Sequence, residues 1–287
     1  MGSGFGGTTS GTIYGNTGSI GAAIADAPLV DCPQGVEYVF VTTNGSYSWT
    51  GYDAVWEFVS IFTNVPAEGQ PGAPGVVPVG VGGAGYYLYT GTFDNVYFQS
   101  SPPAPAATGN IYVVGNTGTV GGGTLYQVPI SQSALTGASN AVVTGLNSTE
   151  HPWPSPTSEF CSGACTSNGT ETTSGTDYIF FSVNRGAKSG CTNAAGNGCI
   201  LSYNINNPSS VSQVGTGLNV STPGTNGCWA TGGIIVDNSS SAAGASQIYF
   251  VNLNGNTAGG PTGATSSNCT ASSAANVNAV QASQSNP

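Results

Sequence analysis

The chain has 287 residues, of which only 5% are charged, and 12 acidic side chains stand against 2 basic ones for a net charge of −10. An average domain carries about 25% charged residues, so solubility here rests on Ser, Thr, Asn and Gly, as in secreted and cell-surface proteins. With Arg185 and Lys188 as the only basic residues, no basic patch can be assembled, which excludes nucleic acid and anionic membrane surfaces as partners.

Taken in order, residues 1–22 are rich in Gly, Thr and Ser and read as a flexible arm with one strand-like island at Thr12-Ile13-Tyr14. Strands follow at Ala27–Asp31 and Glu37-Tyr38-Val39-Phe40-Val41, then a polar loop and Ala54–Val59. A second unit opens with Val76–Val81 and runs through Asp94-Asn95-Val96-Tyr97-Phe98 to Asn110-Ile111-Tyr112-Val113-Val114 and Leu125–Val128. A third has Ala141–Val143, Glu159-Phe160, Asp177–Val183 and Ile200–Tyr203; a fourth has Val211–Val214, Gly233–Asp237, Gln247–Val251 and a weak last strand, Ala279–Ala282. Each run is short, β-branched or aromatic, and bounded by turn residues, which is the pattern of a buried strand and argues against disorder.

Two patterns recur. A polar residue followed by four apolar ones starts at 37, 110, 177 and 247, in steps of 73, 67 and 70 residues. An apolar-apolar-polar-apolar run recurs as Val55–Phe58, Leu125–Val128, Ile200–Tyr203 and Ala279–Ala282. Two patterns sharing one period predict an all-β, β-propeller-like architecture of four four-stranded repeats of about 70 residues each. The expected single domain spans 23–287, with repeats at 23–65, 66–132, 133–207 and 208–287. The fully apolar run is expected as the third strand and the partly polar one as the outer fourth, where Pro129 is tolerated at an edge. A pair of sandwiches or a stack of sheets is the alternative.

Seven cysteines in a low-charge chain point to an oxidising, extracellular compartment. No secretion signal opens the chain, which reads as a mature form, and no apolar run is long enough for a transmembrane helix. The cysteines lack metal spacing, so disulfides are expected: Cys191 with Cys199 across a Gly/Asn turn, Cys161 with Cys165 in a tight loop, and Cys228 with Cys269 at the ends of the last repeat. Cys32 is left over. Six Asn-x-Ser/Thr sites, at Asn44, Asn147, Asn168, Asn219, Asn238 and Asn268, are glycosylation candidates, although so Ser/Thr-rich a chain produces that number by chance.

The phrases Ile24–Asp31, Thr92–Phe98, Gly109–Gly118 with Thr124–Ile130, and Gly232–Ser241 with Gly244–Phe250 resemble a group of secreted proteins of Acidobacteria-type organisms. That resemblance covers the chain from about residue 20 onward. It implies propeller-like repeats corresponding to the C-terminal half of a longer propeller, and it supplies no catalytic residues.

Catalytic chemistry is poorly represented. The one histidine, His151, lies in His151-Pro152-Trp153-Pro154-Ser155-Pro156, an extended proline-rich run, and no strained serine elbow accompanies it. Gly82–Gly85 and Gly121–Gly123 lack the Gly-Lys-Ser/Thr of a phosphate loop and read as turns. A quinone-dependent dehydrogenase is disfavoured because no adjacent cysteine pair occurs and basic residues are nearly absent. Asp26, Asp94, Asp31 and Asp237 sit at strand ends that converge in a propeller, so they are weak candidates for a calcium site or for paired acid–base carboxylates; the alternative is that they close turns. No catalytic residue and no cofactor other than a possible calcium ion is expected.

The resulting expectation is a non-enzymatic extracellular structural or adhesive protein, self-associating into a homopolymer such as a cell-surface layer or filament. The alternative is a secreted carbohydrate- or calcium-binding propeller module whose Trp49, Trp56, Trp153 and Trp229 stack on glycans. A third reading is an acidic glycoside hydrolase using Asp26 or Asp94.

Overall fold

The computed structural model describes residues 22–32, 34–43, 52–59, 75–82, 87–100, 108–132, 134–148, 152–163, 175–192, 198–220, 231–237, 247–252 and 278–283. Among these residues the chain forms four antiparallel sheets in succession. In the first sheet, β1 (Ala22–Ala23) and β2 (Leu29–Asp31) both pair with β3 (Val36–Thr43), followed by β4 (Tyr52–Val59) and β5 (Val76–Val81). The second runs β6 (Thr92–Phe93), β7 (Gly109–Asn116), β8 (Gly123–Ser131), with β9 (Ala134–Leu135) and β10 (Asn140–Val143) both on β8; helix α1 (Asn95–Ser100) connects β6 to β7. The third runs β11 (Ser158–Gly163), β12 (Gly175–Asn184), β13 (Gly198–Asn204), with β14 (Ser212–Gln213) and β15 (Leu218–Val220) on β13. The fourth is β16 (Ile235–Asp237), β17 (Gln247–Asn252) and β18 (Asn278–Ser283).

The strands are apolar on both sides because both faces are covered. Tyr38 and Phe40 of β3 share a core with Ile111 and Val113 of β7. On the reverse of β7, Tyr112 and Val114 share a second core with Ile179 and Phe181 of β12. On the reverse of β12, Tyr178 and Phe180 meet Ile248 and Phe250 of β17. The back of the first sheet buries Val39, Val41, Trp56 and Phe58 in a core of its own. The fourth sheet differs: on the reverse of β17, Tyr249 is 36% exposed, and its cross-strand neighbour Ile235 is 67% exposed.

Three expectations change. Val76–Val81 does not open the second unit but pairs with β4 as the last strand of the first sheet, and Ala141–Val143 likewise ends the second. Each sheet is a meander, in which sequential strands pair through the nearest connection, so the apolar run is the second strand and the partly polar run the third. Second, the apolar runs correspond by face as Tyr38, Tyr112, Tyr178 and Tyr249, each directed away from the preceding sheet. The starts at 110 and 247 are therefore one residue early, and a one-residue slip turns every side chain to the other face. Third, Asn95–Ser100 is helical, not extended.

Two glycines permit the first and second sheets to touch through their backbones. A Cβ on Gly115 would lie 1.8 Å from the Val79 carbonyl oxygen, and one on Gly80, whose φ is +124°, would lie 2.2 Å from that of Asn116. The strain at Gly80 would fall on any other residue, because that φ belongs to glycine.

Candidate functional site

Most of the strongly shifted acidic chemistry gathers where α1 meets the third sheet. Asp94, just after β6, caps α1: its Oδ1 accepts from Tyr97 N at 2.9 Å and Asn110 N at 3.1 Å, and its Oδ2 accepts from Asn110 Nδ2 at 2.6 Å. That cap satisfies helix N–H groups and is why this stretch coils instead of extending. The Asn95 N–H points outward and donates to Asp177 Oδ2 of β12 at 2.9 Å. Asp177 is 1% exposed. Its own N–H donates to Asn206 Oδ1 at 2.6 Å, and Asn206 Nδ2 donates to Gly175 O at 2.8 Å, which fixes the start of β12.

Across the ladder Asp177 stands opposite Cys161 and Ile179 opposite Glu159, so the Glu159 and Asp177 side chains lie diagonally on one face of the sheet. Asp177 Oδ1 and Glu159 Oε1 are both buried without a donor, so the two acids face one another as acceptors. Burial, then the bond to and the charge of Glu159, push Asp177 up to about 9, against a pull downward from the Asn95 N–H. Burial also raises Asp94, although its Asn110 and Tyr97 donors pull the other way. Ionised carboxylates only accept hydrogen bonds, so a carboxyl–carboxyl bond requires a proton.

Of the aspartates singled out in the sequence, Asp26, Asp31 and Asp94 are engaged separately by protein donors. Asp26 accepts from Ala27 N at 2.8 Å and Thr90 N at 3.2 Å. Asp31 accepts from Gln34 N at 3.1 Å and from the Tyr97 hydroxyl at 2.5 Å. Asp237 ends β16 opposite Gln247. Tyr97 brings Asp31 and Asp94 onto one side chain, through its hydroxyl and its backbone N–H, but their oxygens are occupied by those bonds. Among the described residues no group of three or more His, Cys, Asp or Glu is placed to hold a metal ion. In these positions Asp26, Asp31 and Asp94 close turns, cap α1 and tie neighbouring sheets.

Cys191 and Cys199 form the expected disulfide, with S–S 2.06 Å, inside the core between the second and third sheets. Cys161 is disulfide-bonded as well; Cys165, Cys228 and Cys269 lie outside the described residues. Cys32 is a free, exposed thiol. Trp56 and Trp153 are buried and present no face to a sugar, while Trp49, Trp229 and His151 lie outside the described residues. Of the sequon asparagines, Asn147 is buried with Oδ1 accepting from Gly123 N at 2.8 Å. Asn219 binds Thr192 N and Gly190 O at 2.6 Å each, bracing the disulfide loop. Asn44, Asn168, Asn238 and Asn268 lie outside the described residues.

Sequence reasoning passed over Asp177 and Glu159. The available signal was a carboxylate heading a strand apolar on both faces, in a chain whose 2 basic residues both come later. Among the described residues no helix is long and apolar enough to cross a membrane. Neither a protein family, nor a curated protein, nor a solved structure matches this chain.

Proposed function

We propose that the protein is a non-enzymatic structural or adhesive protein of the cell exterior, built of four propeller-like repeats, whose copies join into a surface layer or filament. The observation that carries this reading is the uncovered face of the fourth sheet. In three successive sheets the side of the tyrosine column is buried; on the fourth, Ile235 and Tyr249 lie open beside the exposed Gln281. Burying an aromatic and a branched aliphatic side chain is favourable by about 1.5 to 3 kcal/mol each, and a second copy supplies the apolar cover. The internal ties support an exposed setting. Several of them are neutral hydroxyls and amides, as where Ser182 Oγ accepts from Thr231 N at 2.8 Å and Thr157 Oγ1 donates to Tyr112 O at 2.9 Å. The Cys191–Cys199 bridge fits an oxidising compartment, and the resemblance to secreted Acidobacteria-type proteins agrees with it. Light scattering across a concentration range, followed by negative-stain microscopy, tests the reading. Concentration-dependent growth into rings or fibres supports it, and a monomer at every concentration refutes it.

A further inference from the structure

We propose that Asp177 and Glu159 share one proton, and that this proton lets the two carboxyls lie together on the face of β11 and β12 packed against α1, making the seam between the second and third sheets a pH-sensitive joint that is tight in acid. The proposal does not depend on whether copies assemble.

The geometry leaves little else. Asp177 Oδ2 is occupied by the Asn95 N–H, and Oδ1 is buried with no N–H or O–H donor reaching it. The group it meets is the Glu159 carboxyl. Leaving a buried carboxylate oxygen without a donor is costly, and two ionised carboxylates in contact repel, so one of the pair holds the proton. The described elements packed against the pair bring no countercharge. From α1 and the end of β6 come the Asn95 N–H and Asp94, itself acidic and bound to Asn110 and Tyr97. From β11 come Glu159 and the disulfide-bonded Cys161. From the segment after β13 come Ile205 N, donating to Asp177 O, and the neutral amide of Asn206. Arg185 follows the far end of β12; eight residues of strand put it roughly 26 Å away, beyond the ~10 Å over which charge is felt in ordinary salt. Lys188 lies further along the chain and donates to Thr144 O. Among the described residues no cation neutralises the site, and a shared proton does so.

The direction of the effect follows from linkage. An unfolded chain releases the aspartate proton near pH 4, whereas the folded site holds it up to about 9. Between those values the folded state binds more protons, so stability is full below about pH 4 and declines as pH rises toward 9. Glu57 and Asp94, also raised by burial, act in the same direction.

The test is thermal unfolding of the whole chain from pH 3 to 9, for the wild type, Asp177→Asn and Glu159→Gln. The wild-type Tm is expected to fall by about 5 to 10 °C between pH 4 and 8. In Asp177→Asn the amide oxygen keeps the Asn95 bond and the NH₂ donates to Glu159, a permanent copy of the protonated state, so most of that decline disappears. A flat or rising wild-type Tm, or an undiminished decline in both variants, overturns the proposal. Should the variants not fold, infrared spectroscopy of the wild type decides: a protonated-carboxyl band persisting at pH 7 supports the shared proton, and its absence overturns it. Calcium chloride that raises the wild-type Tm at pH 8 but not that of Asp177→Asn overturns it too, by showing a cation in the proton's place.

Discussion

At the seam between the first and second sheets, Asp31 receives the Tyr97 hydroxyl at 2.5 Å and Glu57 receives the Leu135 N–H at 2.6 Å. At the seam between the second and third, Asp177 receives one N–H, and its other oxygen faces a second carboxyl. Both seams are otherwise alike, each an apolar core between two antiparallel sheets. The difference shows what a chain with 2 basic and 12 acidic residues can do with a buried acid. It can surround the carboxylate with neutral donors, which hold the charge by hydrogen bonding. Failing that, it can keep the acid protonated, which costs nothing in acid and progressively more as pH rises. In the first seam Asp31 is met by donors, while Glu57, raised by burial, shares in milder form the acid preference that the paired carboxyls give the second.

The sharpest way to break the comparison is to force the first seam open. Gly115→Ala places a methyl 1.8 Å from the Val79 carbonyl oxygen, backbone against backbone, where no rotamer change relieves it. The expected loss exceeds about 4 kcal/mol in denaturant unfolding, the range of exceptional single substitutions. If the variant folds, its stability should keep the wild-type decline with pH, because the second seam is untouched. Loss of the decline would mean that the joint is not local to Asp177 and Glu159.

Beside the second seam, the third sheet carries a covalent tie of its own. Cys191 and Cys199 sit in its core, eight positions apart in sequence, and Gly186 and Gly217 pack against their side chains so closely that an added Cβ would come within 2.7 Å. Closing so short a loop stabilises by about 2 to 3 kcal/mol through the unfolded chain. Replacing both cysteines by serine should therefore lower the denaturation midpoint by a corresponding amount. It should also leave the Asp177–Glu159 infrared band in place, since the bridge lies beyond the opposite end of β12 from Asp177.

How much of this could be read from the sequence depends on what the chain encodes locally. The apolar runs at Tyr38–Val41 and Asp177–Val183 announced strands buried on both faces, and strands they are. Cys191 and Cys199 announced their bridge because a turn between two strand runs brings them together. What was not legible was assignment across gaps. Val76–Val81 is as apolar before pairing with β4 as after, and nothing in those residues says which sheet takes them. Asp94–Phe98 carries strand-forming Val, Tyr and Phe, but Asp94 becomes a cap once Asn110 and Tyr97 supply donors, and the first of these comes from the next strand. Asp177 and Glu159 were opaque for the same reason. Their meeting depends on the β11–β12 register, which no spacing in the sequence discloses.

A smaller effect sharpens the contrast from the donor side. Tyr97→Phe removes the hydroxyl from Asp31 and leaves a buried carboxylate oxygen unsatisfied, at a cost of about 1 to 3 kcal/mol at pH 7. The ring stack of Tyr97 on Phe93, with centroids 3.9 Å apart, is retained in the variant. Denaturant unfolding at pH 7 reads the loss, and a change below about 0.5 kcal/mol would show that Asp31 does not depend on this donor.

The smallest expected effect on stability concerns the face with no seam at all. Ile235 and Tyr249 are cross-strand neighbours on the open side of the fourth sheet, whereas the corresponding Tyr38, Tyr112 and Tyr178 are buried. Replacing both by serine removes a mostly exposed Ile235 and a partly covered Tyr249, so the monomer's stability should fall by no more than about 1 kcal/mol. Truncating Tyr112 to alanine inside the second core should instead cost about 3 to 5 kcal/mol. If copies associate through this face, the serine pair should abolish concentration-dependent growth in light scattering while leaving the monomer folded. Growth that persists in the folded double variant would place self-association elsewhere on the molecule and leave the fourth sheet's face without a partner in the assembly.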